Sequence, residues 1–335
     1  MRSKLRRFSR FEPKIAQLGL ESAAAGLTIL LMSERQTFSY LSQTFQAAGI
    51  EPKTKYGQNF LIDLNILDVI TRGAQLRPDD IVLEIGTGMG SLTKKMAPHV
   101  AHVITVEIDR DLQVLAAREL EANPNVTMLT FDVLRNKNHL RPEVMETVCE
   151  KLAQFPNSRF KLISNLPYNV ATPIISNLLL VSPRPERMVV TIQKELADRI
   201  VAPPSCKDYS ALSIWMQSLC DCEILRTLPP SVFWPRPRVD SAIIRVKPNE
   251  SKRGRIQDLD YFHVTLRALF FHRRKFLRSQ VFMATHDSLT KPQVDEILQR
   301  LGHKENMRAE ELTVEQIIEL IEATRIASQG KSVTG

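Results

Sequence analysis

Cysteine is scarce in this sequence of 335 residues, and long apolar runs are missing. The four cysteines, Cys149, Cys206, Cys220 and Cys222, are too few and too late in the chain to form a disulfide framework. No CxxC pair or histidine cluster has zinc-site spacing, so we expect reduced thiols and no bound metal. No stretch reaches the roughly 18 apolar residues of a membrane span, so we expect no membrane partner.

What the chain does contain is an ordinary globular composition, with 43% apolar and 24% charged residues. This balance excludes a disordered chain, a collagen and a coiled coil. The length suits one large domain or two smaller ones. Lys and Arg together number 45 against 37 Asp and Glu, a formal net charge of +8. That excess permits a nucleic-acid partner without proving one.

The first fifty residues look unlike the rest. Residues 1–14 carry Arg2, Lys4, Arg6, Arg7 and Arg10 with a single acid. Three interpretations stay open: a targeting segment, a basic arm, or an extension from a start codon placed too early, with translation beginning at Met32. We treat residues 1–50 as an N-terminal extension.

From residue 53 onward, apolar runs of strand length alternate with helical patterns. Strands are predicted at 80–85, 103–106, 126–131, 160–164, 188–192, 222–228 and 242–246. Helices are predicted at 91–96, 111–121, 172–181, 194–201 and 209–219. This alternation predicts an α/β fold with a doubly wound, mostly parallel, seven-stranded sheet over residues 51–250. One of the last two strands should be antiparallel, since no long helix separates them.

The C-terminal part has helical spacing and no strand signal. Residues 248–257 are polar and predict a linker, and helices are predicted at 261–282, 291–301 and 314–326. We therefore expect a small all-helical domain over residues 258–327.

Three polar signals follow strands. The first is Glu84-Ile-Gly86-Thr-Gly88-Met-Gly90, in which glycines let the backbone turn and a ligand approach closely, although a purely structural turn is the alternative. Glu107 ends the second strand, 21 residues after Gly86. There it can accept hydrogen bonds from the ribose of an adenosine-containing cofactor, or remain a solvated carboxylate. Asp132 follows the third strand and is either a ligand to an adenine amino group or a helix cap.

The third signal, Asn165-Leu166-Pro167-Tyr168, follows the fourth strand and points to a reaction. An adenine amine is a poor nucleophile because its lone pair is delocalised into the ring. The Asn165 side-chain oxygen and the Leu166 carbonyl can accept its two hydrogens and free that lone pair. Pro167 stiffens the loop, and Tyr168 offers a ring on which a base can stack. The alternative is a turn before a helix.

At this point the sequence resembles the KsgA-type (RsmA) rRNA adenine dimethyltransferases, a branch of the S-adenosylmethionine-dependent methyltransferases with a Rossmann-like fold. The resemblance covers residues 53–326. Its motifs are Tyr56-Gly-Gln-Asn-Phe-Leu-Ile62, Glu84-Ile-Gly-Thr-Gly88, Val106-Glu-Ile-Asp109, Asn165-Leu-Pro-Tyr-Asn169, Gln193-Lys-Glu195, Tyr209-Ser-Ala-Leu-Ser213, Pro235-Arg-Pro-Arg-Val-Asp-Ser241, Arg273-Arg-Lys275 and Met307-Arg-Ala-Glu310.

The resemblance implies a cofactor, a substrate and further site residues. S-adenosylmethionine would touch Asn59 and Leu61, and its pocket would be completed by Gly86, Glu107, Asp132 and Asn165. The implied substrate is a pair of adjacent adenines near the 3′ end of small-subunit (16S) rRNA, each dimethylated at N6. Phe233 would sandwich the target base against Tyr168. Trp234 is an extra ring without an assigned role, and Thr87 replaces a proline common in the family.

A dense group of basic residues is the candidate RNA contact. It comprises Arg267, Arg273, Arg274, Lys275 and Arg278, with Lys252, Arg253 and Arg255 before it. If residues 261–282 form one helix, then Arg267, Arg274 and Arg278 share a face that could contact phosphates. A solvated charged face is the alternative.

The resemblance thus implies a cytoplasmic, monomeric methyltransferase of the 30S ribosomal subunit, acting in ribosome biogenesis. A methyltransferase of large-subunit rRNA is a close rival, against which residues 307–310 and the full helical tail argue. A binding protein that kept the fold and lost activity would not need Glu107, Asn165, Pro167 and Tyr168. A nicotinamide dehydrogenase is disfavoured by the GxGxG spacing.

Overall fold

A seven-stranded sheet forms the centre of the molecule, for which the computed structural model describes residues 38–136, 139–285, 288–304 and 306–329. The strand order is β4-β3-β2-β7-β8-β11-β9. The seven strands are β2 (Asp80–Ile85), β3 (His102–Val106), β4 (Val126–Leu129), β7 (Arg159–Asn165), β8 (Arg187–Gln193), β9 (Cys220–Leu228) and β11 (Ser241–Pro248). Strand β11 is antiparallel to both its neighbours, which confirms the predicted reversed strand.

Two short ladders accompany this sheet. Strand β1 (Phe60–Leu61) pairs with β10 (Phe233–Trp234), and β5 (Leu134–Asn136) pairs with β6 (His139–Leu140). The helices are α1 (Phe38–Ala48), α2 (Leu64–Ala74), α3 (Ser91–Met96), α4 (Arg110–Glu119), α5 (Pro142–Gln154), α6 (Ala171–Leu178), α7 (Lys194–Val201), α8 (Ala211–Leu219), α9 (Glu250–Arg253), α10 (Leu259–Leu269), α11 (Leu277–Ala284), α12 (Lys291–Arg300) and α13 (Val314–Gln329).

Strand β2 illustrates why the sheet forms where the sequence predicts it. All six of its residues are buried, as a parallel strand covered by helices on both faces requires. At its start, the Lys161 ammonium lies 2.6 Å from an Asp80 carboxylate oxygen and 2.7 Å from the Gln75 carbonyl oxygen. This buried ion pair joins β2 to β7, the two strands whose far ends carry the glycine loop and Asn165.

The bounds of the N-terminal extension, predicted over residues 1–50, stay a prediction. Helix α1 lies within that stretch and buries Leu41 and Phe45 against Phe60 and Leu112. Apolar positions three and four apart drive this packing. Residues 1–37, including the basic arm and Met32, lie outside the described residues.

The C-terminal helices pack directly on the sheet domain. Trp215 of α8 stacks on Phe262 of α10, with ring centroids 6.4 Å apart, and the Tyr209 hydroxyl donates to the Leu312 carbonyl. The predicted linker holds the short helix α9, anchored by Lys252 to the Cys220 carbonyl, so it is not a free connection. The division into domains at 51–250 and 258–327 stays a prediction.

The predicted single helix over residues 261–282 is wrong. Helix α10 ends at Leu269, and α11 begins at Leu277. Between them, Arg273 pairs with Glu310 at 2.9 Å, and the Leu277 amide donates to the Met307 carbonyl. These contacts hold residues 270–276 against a distant segment in place of a continuous helix. Within the described ranges, no helix is long and apolar enough to cross a bilayer, and no His, Cys, Asp and Glu cluster suits a metal.

Candidate active site

The carboxyl ends of β4, β3, β2 and β7 meet at one edge of the sheet. A cavity of about 280 Å³ opens there, just below the roughly 300–1,000 Å³ of typical small-molecule sites. Eight predicted residues line it: Asn59, Gly86, Glu107, Asp132, Asn165, Leu166, Pro167 and Tyr168. Parallel strands bring these residues together because their carboxyl ends lie side by side.

The glycine loop forms one wall of the cavity. Gly86 and Gly88 have φ angles of +87° and +55°, which L side chains rarely adopt. A Cβ on Gly88 would lie 3.2 Å from the Phe60 ring, and one on Gly86 would lie 3.5 Å from Pro167. Both positions therefore favour glycine for their backbone angles, and Gly88 does so also for the space beside the Phe60 ring.

Glu107 is buried at the end of β3, with only 5% of its surface exposed. One carboxylate oxygen accepts from the Gly88 amide and the other from the Asp109 amide, each at 2.9 Å. Burial raises the pKa of Glu107, and these two bonds offset part of the rise. Each oxygen keeps a lone pair for a hydroxyl donor in the cavity, so the carboxylate is both fixed and available.

Asp132 lies at the rim, exposed on one side and facing the cavity on the other. One of its oxygens accepts from the Leu134 amide at 2.9 Å. The helix-cap alternative is wrong, since residues 134–136 form strand β5 rather than a helix. The carboxylate stabilises a turn and retains acceptor capacity toward the cavity.

The Asn165 amide is oriented by a residue from the other side of the cavity. Its Nδ2 donates to the Asn59 carbonyl at 2.8 Å. The amide nitrogen is thereby directed at the backbone, and the Asn165 Oδ1 accepts no hydrogen bond from any described residue. The neighbouring Leu166 carbonyl is also without a donor among those residues, while the Leu166 amide donates to Thr191. Two adjacent acceptors therefore stand unsatisfied at the cavity.

Tyr168 closes this wall. Its hydroxyl is hydrogen-bonded to Ser241 Oγ on β11, which holds the ring beside the cavity. Burial raises the pKa of Tyr168, and the bond to Ser241 offsets part of that rise. The phenol is therefore neutral at physiological pH, and its ring presents an uncharged face.

A strap over the cavity, residues 53–59, is tied at both ends. The Lys53 ammonium lies 2.7 Å from carboxylate oxygens of both Asp109 and Asp111. Gln58 donates to Asp109 at 3.0 Å, and Asn59 receives the bond from Asn165. Burial raises the pKa of Asp109, but the bonds from Lys53 and Gln58 outweigh it, so the net shift is downward.

The contact between Lys53 and Asp109, which ties the strap to the start of α4, was not predicted from the sequence. The Asp109 side chain caps α4 by accepting from the Asp111 amide. Its second role depends on Lys53, 56 residues away. No local sequence pattern predicts a contact over this distance. Only the family motif that contains Gln58 indicated that the strap matters.

Aromatic rings of α1 support the strap from outside. Phe45 packs edge-on against Phe60 and against Trp234, with centroids 5.3 and 5.1 Å apart. Phe38 also contacts the Trp234 ring. Trp234 thus connects α1 to Phe60, which lines the cavity. This packing gives the unassigned tryptophan a structural role.

Two predicted residues are not brought to the cavity. Phe233 and Leu61 are paired across the β1–β10 ladder and buried in a cluster with Ile66 and Leu67. Only 2% of the Phe233 surface is exposed, so no face of its ring is open to a base. The predicted stacking of the target base between Phe233 and Tyr168 is therefore not supported, because the Phe233 ring is packed among apolar side chains. Cofactor contact by Leu61 stays a prediction.

The predicted RNA-binding residues do not share a helical face. Arg267 lies on α10, Arg273, Arg274 and Lys275 lie in the connecting turn, and Arg278 lies on α11. Arg278 forms a bidentate ion pair with Asp295, and Arg273 pairs with Glu310. Arg267, Arg274 and Lys275 are exposed. The basic group is therefore a surface around a turn, with two of its cations neutralised.

Comparison with known proteins agrees with this geometry. Residues 50–325 match the family described as ribosomal RNA adenine dimethylase. The chain is 36% identical over 267 residues to the ribosomal RNA small subunit methyltransferase A of Lachnoclostridium phytofermentans, covering 79% of this chain and 89% of that protein.

Two crystal structures are similar over most of the chain. One is a dimethyladenosine transferase from Plasmodium falciparum, with a TM-score of 0.68, 26% identity, and coverage of 80% of this chain and 98% of that one. The other is the 23S rRNA methyltransferase ErmE, with a TM-score of 0.56, 23% identity, and coverage of 79% and 99%. The second likeness concerns the fold alone.

Proposed function

Because the chain belongs to the ribosomal RNA adenine dimethylase family, we propose that it dimethylates N6 of two adjacent adenines near the 3′ end of 16S rRNA, using S-adenosylmethionine, during 30S subunit biogenesis. The name of the relative from Lachnoclostridium phytofermentans supports the small-subunit substrate over the large-subunit rival. We further propose that the enzyme acts as a monomer. A ribosomal substrate supports a cytoplasmic location.

The cavity fits an adenosine-containing cofactor. Its wall at Gly86 and Gly88 lacks side chains, and the buried Glu107 carboxylate retains free lone pairs. We assign Glu107 to the ribose hydroxyls and Asp132 to the adenine amino group, with Asn59 and Asn165 completing the pocket. Bound S-adenosylmethionine supplies a methyl group already activated by its sulfonium. The protein therefore needs only to hold and orient the two reactants.

The observation that carries the proposal is the pair of unsatisfied acceptors, Asn165 Oδ1 and the Leu166 carbonyl. An exocyclic adenine amine has two hydrogens, and these acceptors can take both. Such bonds draw the nitrogen toward a tetrahedral shape and localise its lone pair. Since Asn59 already fixes the Asn165 amide, the acceptors need no reorganisation when the base arrives.

The remaining roles concern the base and the rest of the rRNA. Tyr168 would stack on the target adenine, which must leave its helix to enter the cavity. No general base is required, because the proton lost from N6 can pass to water. We assign residues 51–250 to methyl transfer and residues 258–327, with their basic surface, to RNA contact.

The decisive experiment maps labelled methyl groups on 30S subunits from a strain that lacks its own enzyme. The expected result is dimethyladenine at two adjacent positions near the 3′ end of 16S rRNA, with none made by Asn165→Ala at matched times. Labelling of 50S subunits instead would support the large-subunit rival. Absence of any transfer, in protein that binds S-adenosylmethionine, would support a binding protein without activity.

A further inference from the structure

A second cavity lies on the surface of the C-terminal helices, outside the residues that line the first. It has a volume of about 400 Å³ and lies along α10 and α11. Its lining consists of Val264, Arg267, Ala268, Phe271, His272 and Met283. We call this the helical groove.

The apolar side chains of the helical groove are unusually exposed. Phe271 has 80% of its surface open to solvent, Val264 56% and Met283 36%. The His272 ring meets the Phe271 ring edge-on, with centroids 4.9 Å apart. Contiguous exposed apolar groups of this kind mark binding surfaces more often than ordinary exterior.

The charge around the groove has one sign. None of the groove residues is acidic, and Arg267 lies among them. Arg274 and Lys275 follow Phe271 in the exposed turn. Within the described ranges, no carboxylate pairs with these three cations, whereas Arg273 and Arg278 are paired with Glu310 and Asp295. An exposed aromatic ring thus stands beside three uncompensated positive charges.

We propose that the helical groove binds an unpaired nucleobase of rRNA, distinct from the target adenine, which stacks on Phe271. Arg267, Arg274 and Lys275 contact the adjoining phosphates. The inference rests on the proposed rRNA function. Any base has a face to stack, and the flanking cations favour a polyanion. An amphipathic protein helix would need a longer apolar groove than six residues provide.

The roles of the two cavities predict different kinetics. A base held in the helical groove contributes to affinity alone, because it makes no contact with the reacting atoms. Loss of the Phe271 ring should therefore weaken RNA binding and leave single-turnover methyl transfer at saturating enzyme unchanged.

Three variants test this. Phe271→Leu keeps an apolar side chain but removes the ring, Phe271→Tyr keeps the ring, and Ile326→Ala removes another exposed apolar side chain, 62% open to solvent, as a matched control. We expect Phe271→Leu to bind 30S subunits at least about fivefold more weakly. Phe271→Tyr and the control should bind normally. Normal binding by Phe271→Leu overturns the inference.

A photoreactive phenylalanine analogue at position 271 identifies the partner. Crosslinking to 16S rRNA supports the inference, and crosslinking to a ribosomal protein or to a second copy of this chain overturns it. The wild-type protein separates this inference from the proposed function. If wild type methylates 30S subunits but Phe271→Leu binds them normally, only the groove assignment fails; if wild type methylates nothing, the proposed function fails.

Discussion

The cavity at the strand ends and the basic surface of the C-terminal helices hold their polar groups in opposite ways. In the cavity, Glu107 is buried with both oxygens bonded, and the Asn165 amide is held by a backbone carbonyl. On the basic surface, Arg274 and Lys275 are exposed in a turn. One region holds its polar atoms in place by hydrogen bonds, and the other leaves its cations exposed to solvent.

This difference corresponds to two tasks, methyl transfer and RNA contact. Methyl transfer depends on the position of individual atoms, so acceptors must be oriented before the substrate binds. Contact with phosphates depends mainly on charge, which exposed cations provide. The comparison predicts that substitutions at the cavity change rate and cofactor affinity, whereas those at the surface change RNA affinity and its dependence on salt.

The largest effect should come from Asn165. We expect Asn165→Ala to lower the single-turnover methylation rate by about 10²–10³-fold, since a preorganised contact to the reacting nitrogen is lost. RNA affinity should change little. Asn165→Asp still offers an acceptor and should retain more activity. A near-normal rate for the alanine variant on 30S subunits would show that Asn165 only shapes the turn.

The second largest effect should come from Glu107, through the affinity for S-adenosylmethionine. Glu107→Ala should weaken S-adenosylmethionine binding by about 1–3 kcal/mol, the scale of hydrogen bonds to a charged group. Because burial raises the pKa of Glu107, wild-type affinity should fall with decreasing pH before an ordinary carboxyl would protonate. Glu107→Gln should flatten that dependence. Calorimetry across pH tests both statements, and unchanged affinity in the alanine variant would contradict the assignment.

A substitution at Phe45, which precedes the residues matched by the family, tests whether packing around the strap affects the cavity alone. Phe45→Leu keeps apolar bulk but loses the edge-on contacts with Phe60 and Trp234. Two such pairs at about 0.5–1.5 kcal/mol each suggest a loss of about 1–3 kcal/mol in unfolding free energy. Cofactor affinity should fall and RNA affinity should not. Val114→Ala, which changes an exposed apolar side chain on α4, is the control.

The smallest effects should separate two arginines on the basic surface. Arg274→Ala should lower the slope of log affinity against log salt by about 0.7–0.9, the value for one phosphate contact. Arg278→Ala should leave that slope unchanged, and stability should hardly change because the Asp295 pair is exposed to solvent. Equal slopes for all three proteins would mean that Arg274 is merely solvated.

Much of the cavity could be predicted from the sequence, for a physical reason. The sequence predicts strand β2 with its observed bounds because the apolar residues at 81–83 and 85 are a local signal. The residues after β2, β3, β4 and β7 converge in any parallel sheet with this strand order. By contrast, α1 was missed, because its two buried residues, Leu41 and Phe45, are a weak pattern until Phe60 and Trp234 are placed beside them.

The sequence alone determined the fold class and which loops carry chemistry, since both follow from short motifs and local periodicity. The tertiary structure decided what depends on contacts across the chain. Asn59 orients Asn165 from 106 residues away, and Lys53 holds Asp109 from 56. The pairing of Arg273 with Glu310, 37 residues apart, accompanies the break of a predicted helix. Phe233 packs in a cluster with Leu61 and Ile66 and does not line the cavity. Such contacts are set by the packing of distant segments, which local propensity does not encode.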